Sequence, residues 1–469
     1  MIFLYGAPAS GKTTLGRRLA AALGCIFADL DEEIVKAAGK AVPQIFAESG
    51  EAGFREIESR TLEAVVADLS GRGTVIVSLG GGTLLRQGNR ALCESVGTVI
   101  CLETPSEEEL ARRIGKTPGS RPLGDRARER ADHYASFGSR IAATFDLENS
   151  LVVVGKGISG ALLGGTPYVA DSNVAALWAE RLGAAPLDVI PSGEEHKTIS
   201  TVTGLWSAFA GAGLGRNDVV AAVGGGVTGD LTGFAAATFM RGIAWMNFPT
   251  TLLAMVDAST GGKTGCDLPE GKNLAGAFHS PRLVAIDADF LSTLPLETLS
   301  CGRAEMVKHE IIGGVLAQSK DGASSIPSPA ELAANLSVKV GIVREDPFER
   351  KGRRILLNCG HTVAHAVETL TDYRVPHGVA VAIGCVEEAK LAVRLGLAPT
   401  GWPEELSARF YAYGLDSRLP EGLSPEKLVP VMKMDKKRSG GVVTFALPCG
   451  WGDVRAVPVD FSGKEVAPW

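Results

Sequence analysis

The chain has 469 residues, 45% hydrophobic and 21% charged, with a formal net charge of −6 from 47 basic and 53 acidic side chains. Length suggests about two to four domains, and the composition suits packed globular units rather than disorder. The acidic balance argues against a nucleic-acid partner, while local basic clusters can still grip small anions. The eight cysteines are scattered with no Cys-x-x-Cys pair, which fits reduced thiols and not a disulfide framework. Met1-Ile2-Phe3-Leu4-Tyr5 lacks the basic start of a signal peptide, and no stretch reaches the ~18 apolar residues of a membrane span. A cytoplasmic location with no membrane partner is the expectation.

Apolar runs at Ile2–Tyr5, Val75–Leu79, Val99–Leu102, Leu151–Val154, Val219–Val223 and Leu283–Ile286 alternate with helical periodicity, the habit of parallel α/β sheets. From about Leu299 to Leu395 helical patterns dominate. Boundaries near Phe145–Ser150 and Leu294-Pro295 divide the chain into 1–148, 149–296 and 297–469.

Gly6 to Thr13 fits G-x-x-x-x-G-K-[ST] after a strand and before a helix that Gly24 closes. Backbone N–H groups of Ala9, Ser10, Gly11, Lys12, Thr13 and Thr14 would face the phosphates of ATP. Lys12 would neutralise them, and the Thr13 hydroxyl would ligate Mg²⁺. Asp29 and Asp31 follow, one suited to a magnesium-bound water and the other to taking a proton from a substrate hydroxyl. Then come Gly53-Phe54-Arg55, Gly80-Gly81-Gly82 and Arg121-Pro122-Leu123 in a Gly/Pro-rich segment that could form a lid. Together these pieces resemble shikimate kinase over most of residues 1 to 145. The resemblance implies a P-loop kinase domain, shikimate held by Asp31, Arg55 and Gly81, and Arg121 as the lid arginine on ATP. The second carboxylate-binding arginine is Arg128 or Arg130. The stretch between Arg121 and Arg130 is shorter than the family pattern, and Asp132-His133 replace Pro-Leu there.

Gly224 to Gly229 matches G-x-G-x-x-G after a strand, but the acidic residue expected ~20 positions later is missing. A dinucleotide pyrophosphate can still lie on this turn, with ribose contacts from Asp171 or from Glu194 and Lys197. Lys263, Lys272 and Asn273 sit in a Gly-rich region below Asp257, a plausible phosphate or carboxylate grip. The chain has seven histidines, and His361, His365 and His377 fall close together. His361 and His365 share a helical face. With Glu305, two imidazoles and a carboxylate make a catalytic zinc set with an open position.

The segment from about 150 to 450 resembles 3-dehydroquinate synthase. The matching runs are Gly225–Asp230, Phe239–Gly242, Pro249–Asp257, Gly261–Gly265, Gly271–Asn273 and Asn358–Glu368. The resemblance implies a Rossmann-like NAD domain plus an all-helical metal-binding domain. Glu305, His361 and His377 would bind Zn²⁺ or another divalent ion such as Co²⁺, with His365 handling a proton. Arg241, Asp257, Lys263, Lys272, Asn273, Lys308, Arg354 and Asn358 would grip the substrate, with Lys436 closing from the C-terminal side. Ser192, Gly193, Glu194, Glu195, His196, Lys197, Gly226, Val227, Thr228, Gly229, Asp230, Thr250, Thr251, Phe290, Leu291, Ser292 and Thr293 would contact NAD, as would Lys263 and Lys272. The lysine expected before the Arg354 loop is assigned to Lys339.

The implied reaction turns 3-deoxy-D-arabino-heptulosonate 7-phosphate into 3-dehydroquinate and phosphate, with NAD regenerated. A homodimer through the synthase half is also implied. The rival reading is a metal-dependent alcohol or glycerol dehydrogenase fused to a P-loop module without kinase activity. An uncharged polyol does not require the lysine loop or Arg354, which separates the two. The two implied steps are not consecutive in aromatic biosynthesis, so the halves are expected to work independently.

Overall fold

The computed structural model describes residues 1–104, 106, 128–316, 325–435 and 442–461. Within them an eleven-stranded sheet runs through both α/β units in the order β2-β3-β1-β4-β5-β6-β13-β10-β9-β7-β8. The first unit supplies β1 (Ile2–Gly6), β2 (Ile26–Asp29), β3 (Val75–Ser78), β4 (Thr98–Leu102) and β5 (Ser139–Leu147). The second supplies β6 (Ser150–Lys156), β7 (Tyr168–Asp171), β8 (Asp188–Ile190), β9 (Val219–Gly224), β10 (Ala244–Pro249) and β13 (Leu283–Asp287). A separate hairpin, β11 (Lys263–Leu268) with β12 (Gly271–Phe278), carries the lysine loop.

All neighbours in the long sheet are parallel except β5 and β6. Those two form a hairpin closed by Glu148-Asn149, with Leu147 opposite Ser150. The sequence boundary near Phe145–Ser150 is therefore a tight turn inside one sheet. The hairpin also reverses polarity. Carboxyl ends of the first unit's strands lie on one edge of the sheet and those of the second unit's strands on the other. Ligands in parallel α/β sheets bind at carboxyl ends, so the two candidate sites open in opposite directions.

One hydrophobic core crosses the junction. Helix α1 (Lys12–Leu23) buries Leu15, Leu19, Ala20 and Ala22, which share a cluster with Val152, Val153, Val154 and Ile158. The helical unit includes α6 (Leu296–Gly313), α7 (Pro329–Glu345), α8 (His361–Leu370) and α9 (His377–Arg394), after α2 (Leu30–Ala38), α3 (Val42–Leu69), α4 (Ser172–Leu182) and α5 (Gly226–Thr238) earlier in the chain. It also holds the antiparallel pair β14 (Val442–Gly450) and β15 (Asp453–Asp460), an addition to the expected helices. α7 opens with a capping box, Ser328 with Glu331, and packs on β5 and β6.

Burying a large aliphatic side chain stabilises by roughly 1.5–3 kcal/mol, and a cut at Glu148 would strip several such partners from α1. Residues 1–148 expressed alone should lack a cooperative thermal transition by circular dichroism. A soluble fragment melting cooperatively would contradict this.

Candidate active sites

The first site is a cavity of about 1190 Å³ lined by Ala9 to Thr14, Asp31, Arg55, Gly80 to Gly82 and Arg130. Gly11 has φ 98° at the start of α1, the left-handed turn that lets the loop wrap an anion. Lys12 Nζ donates to the carbonyls of Ala7 at 2.7 Å and Gly6 at 3.0 Å, and burial lowers its pKa to about 8. The Thr13 hydroxyl donates to Asp29 Oδ2 at 2.7 Å, which puts both expected magnesium-side residues together. Asp29 ends β2 and caps α2 through the N–H groups of Asp31 and Glu32. Asp31 thus sits in the first turn of a helix. Burial, then Asp29 and Glu58, raise the Asp31 carboxyl above its ordinary value against the pull of Lys12 and Arg55.

Arg55 and Arg130 meet at the glycine triplet. Arg130 Nη1 donates to the Gly81 carbonyl at 3.1 Å, beside the Tyr134 hydroxyl at 2.7 Å. A Cβ on Gly82 would stand 2.5 Å from Arg55 Nη2 and 3.1 Å from Arg130 Nη1, so bare backbone lets two guanidinium groups converge. Of the two arginines left open by the sequence, Arg130 lines the cavity, and Arg128 is exposed. Arg55 is held by Glu58, which accepts from its Nη1 at 2.7 Å and from the Thr83 hydroxyl at 2.7 Å. Glu58 is fully buried, and the sequence reading did not single it out. Arg121 lies outside the described residues, as does Lys436.

In the second unit a cavity of about 430 Å³ gathers Asp171, Ser192, Gly193, Gly226, Val227, Thr228, Thr250, Thr251, Phe290 and Thr293. Asp171 Oδ1 caps α4 through Asn173 and Val174 N–H, both at 3.0 Å, and Thr228 Oγ1 approaches Oδ2 at 3.5 Å. Gly229 and Asp230 line a smaller neighbouring cavity with Lys263. Lys197 is buried between Asp230 Oδ2 and Asn273 Oδ1, each at 2.7 Å. Glu194 pairs with Lys272 at 3.5 Å, and Glu195 faces His196 at 3.7 Å. Leu291 instead packs in the core, and Ser292 turns its hydroxyl onto the Asp289 carbonyl. These two stand outside the cavity lining.

The third cluster is where α6, α8 and α9 cross. Glu305, His361 and His377 present ligand atoms that all lie within 4.8 Å of one another. Both imidazole Nε2 atoms point at the same oxygen, Glu305 Oε1, from 3.5 Å for His361 and 3.3 Å for His377. Glycine makes the crossing possible. A Cβ on Gly378 would meet Cys301 Cα at 2.3 Å, and one on Gly384 would meet the Gly360 carbonyl at 1.9 Å. Glu388 of α9 accepts from Gly360 N–H at 2.8 Å and Val363 N–H at 3.2 Å, fixing the start of α8. His365 is exposed one turn after His361, with ring centroids 5.6 Å apart. Two imidazoles and a carboxylate with solvent access on one side fit a catalytic divalent site.

Glu305 is fully buried, and the Lys308 ammonium lies against its second oxygen. Burial alone would raise its carboxyl; Lys308 and the imidazoles outweigh that and hold it well below the carboxylate range. Burial, then Lys308, lowers His361 to about 4, while hydrogen bonds to Glu305 and Glu368 overcome burial and lift His377 to about 10. Asp257 completes the network between Lys308 and Lys339. Its carboxyl would be raised by burial, but the two lysines keep it low. Lys339 thus reaches the cluster from α7.

Arg354 is buried and donates to the carbonyls of Pro347 at 2.9 Å and Gly261 at 3.4 Å. Lys263 pairs with Glu349 at 2.6 Å, and Lys272 lies over the Tyr373 ring at 4.1 Å. Asn273 has φ 56°, and Asn358 is exposed just before α8. Arg241 is exposed after α5, with φ 70°.

Family models for the shikimate kinase, the 3-dehydroquinate synthase N-terminal part and the 3-dehydroquinate synthase C-terminal part match residues 8–147, 188–301 and 302–438. The 3-dehydroquinate synthase of Symbiobacterium thermophilum is 42% identical over 307 residues, covering 62% of this chain and 86% of that one. A solved 2-deoxy-scyllo-inosose synthase with carbaglucose-6-phosphate, NAD⁺ and Co²⁺ superposes with a TM-score of 0.60 at 28% identity, over 68% of this chain and 97% of that one. A 2-epi-5-epi-valiolone synthase from Streptomyces hygroscopicus, with NAD⁺ and Zn²⁺, gives 0.60 at 28% identity over 68% and 94%.

His377 Nδ1 lies 3.0 Å from Glu368 Oε1. A carboxylate on the far nitrogen fixes the tautomer that turns Nε2 to a metal, and loss of such a partner typically weakens affinity about 10–100-fold. Glu368→Gln should weaken zinc binding by that factor in a chelator-competition titration. Unchanged affinity would contradict the role.

Proposed function

The chain belongs to the shikimate kinase family over residues 8–147 and to the 3-dehydroquinate synthase family over 188–438, and from that premise we infer which side chains carry each reaction. It is a bifunctional enzyme of the shikimate pathway. One activity transfers phosphoryl from ATP to shikimate, and the other converts 3-deoxy-D-arabino-heptulosonate 7-phosphate to 3-dehydroquinate and phosphate. The units are taken as 1–148, 149–296 and 297–469.

In the kinase, Lys12 and the backbone N–H groups of Ala9 to Thr14 hold the ATP phosphates. Thr13 and Asp29, joined by a hydrogen bond of 2.7 Å, would hold Mg²⁺, the first through its hydroxyl and the second through a water. Asp31, made more basic by burial, takes the proton of the attacking hydroxyl. Arg55, Gly81 and Arg130 hold shikimate, the two guanidinium groups receiving its carboxylate. Arg121 is assigned to ATP from the family resemblance.

In the synthase, the Glu305, His361 and His377 set suits Zn²⁺ or Co²⁺, which would polarise a substrate hydroxyl or carbonyl. NAD⁺, bound against Gly226–Thr228, Thr250, Thr251 and Asp171, would supply reversible hydride transfer. Glu194, Glu195, His196, Lys197, Asp230 and Lys272 are taken as the rim that closes on it. Arg354, Lys263, Lys272 and Asn273 take the substrate phosphate, with Arg241, Asn358 and Lys436 assigned from the resemblance. Lys308, Lys339 and Asp257 fix the substrate hydroxyls beside Glu305, and His365, exposed next to His361, moves the proton. An uncharged polyol would leave the lysine loop and Arg354 without an anion, which disfavours a dehydrogenase.

The observation that carries the synthase reading is the convergence of two Nε2 atoms on one oxygen of buried Glu305. A homodimer through the synthase half is proposed from the resemblance. A cytoplasmic location is proposed from the thiols, all free among the described residues, and from the absence there of any helix long and apolar enough to cross a membrane.

Phosphate release from the heptulosonate phosphate should require NAD⁺, stop on chelation, resume on adding zinc or cobalt, and leave no net NADH absorbance. Stoichiometric NADH would overturn the lyase assignment in favour of a dehydrogenase.

A further inference from the structure

A cavity of about 310 Å³ that neither reaction uses lies where the two units meet. One wall is the β5–β6 turn, and another is the end of α7 with Pro347-Phe348 beyond it. The third is the pair Gly261-Gly262 of the synthase with Phe278 of β12. A water-sized unit fills roughly 30 Å³, so this space suits a molecule of about ten non-hydrogen atoms.

The lining says what such a molecule carries. Phe278 and Phe348 meet edge to face with centroids 5.9 Å apart, and both rings remain half exposed. Beside Pro281 and Val343, they leave aromatic surface that one more ring would cover. Two opposite charges line the same cavity, Arg344 and Glu148. Arg344 gives its Nε to the Asp146 carbonyl at 2.6 Å. Among the described residues neither charge has an ion-pair partner. A guanidinium takes a carboxylate and a carboxylate takes an ammonium. Ser150 and Ser259 are buried in the lining, and their hydroxyls have no hydrogen-bond partner in the structure, where a buried hydroxyl ordinarily has one. We propose that this cavity is an effector site for a small zwitterion with a ring side chain, an aromatic α-amino acid. Its ring lies on the phenylalanine pair, its carboxylate on Arg344 and its ammonium on Glu148.

The wall shared with the synthase is the one that holds Arg354. Arg354 Nη1 donates to the carbonyls of Pro347 and Gly261, and both residues line the cavity. Phe278 stands opposite Lys263 in the β11–β12 hairpin. A ring seated between Phe278 and Phe348 parts the two carbonyls and draws Arg354 away from the substrate phosphate. Occupancy therefore raises the synthase KM. The kinase cavity shares none of these residues, so its KM values stay as they are. This effect rests on the phosphate reading of Arg354, whereas the site itself does not.

Calorimetric titration of the full chain with L-phenylalanine tests the site. The controls are 3-phenylpropanoate without the ammonium, 2-phenylethylamine without the carboxylate, and L-alanine without the ring. L-phenylalanine should bind, and each control should bind about tenfold more weakly or not at all. Glu148→Gln and Arg344→Gln should each weaken L-phenylalanine by about tenfold, with both enzyme rates in its absence unchanged. No binding at millimolar concentration, equal binding of the controls, or binding that either variant leaves intact would each overturn the site. With L-phenylalanine bound, the KM for the heptulosonate phosphate should rise severalfold. An unaltered KM in a chain that binds would overturn the coupling to Arg354 alone. A chain without synthase activity would count against the lyase reading, and the titration would still decide the site.

Discussion

A carboxylate with no contact with water must be paired, and Glu305 is such a group. Removing one partner of a buried ion pair costs roughly 3–5 kcal/mol, so the helices around it are not free to drift. Lys308 sits one turn along α6, and His361 and His377 arrive at the starts of α8 and α9. The glycines at 378 and 384 exist because these backbones touch. Two imidazole Nε2 atoms converge on one oxygen of this carboxylate, the place where a dication would neutralise it. The electrostatics and the packing thus make the same demand.

The second constraint is polarity. A parallel sheet places its ligands at one edge, and a single antiparallel hairpin turns the following strands around. Two enzymes can share eleven strands and a continuous core without their sites facing each other. The strand polarity offers no direct path for handing an intermediate from one site to the other. What the halves share is structural. α1 of the kinase packs against β6, and α7 of the synthase packs against β5.

Much of both sites was legible because their signals are local. The P-loop, the glycine triplet, the lysine loop and His361-x-x-x-His365 each declare themselves within a few residues, and the strands named from apolar runs all recur. Glu58, Glu368 and Glu388 were not legible as functional residues. Each acts on a partner brought near by tertiary packing: Glu58 on Arg55 and Thr83, Glu368 on His377, and Glu388 on the start of α8. Lone acidic residues in helical patterns carry no mark of such a role. The β5–β6 hairpin was hidden for a different reason. Phe145-Asp146-Leu147-Glu148-Asn149-Ser150 is polar enough to look like a linker, yet Asp146 is the meeting point of α1 and α7.

The most direct test of the central claim is metal content. Zinc-reconstituted, dialysed chain should carry one ion per chain by inductively coupled plasma mass spectrometry, and Glu305→Gln, His361→Ala and His377→Ala should each lose it while remaining folded. Retention of a full equivalent by all three folded variants would show that the ion, if any, is held elsewhere.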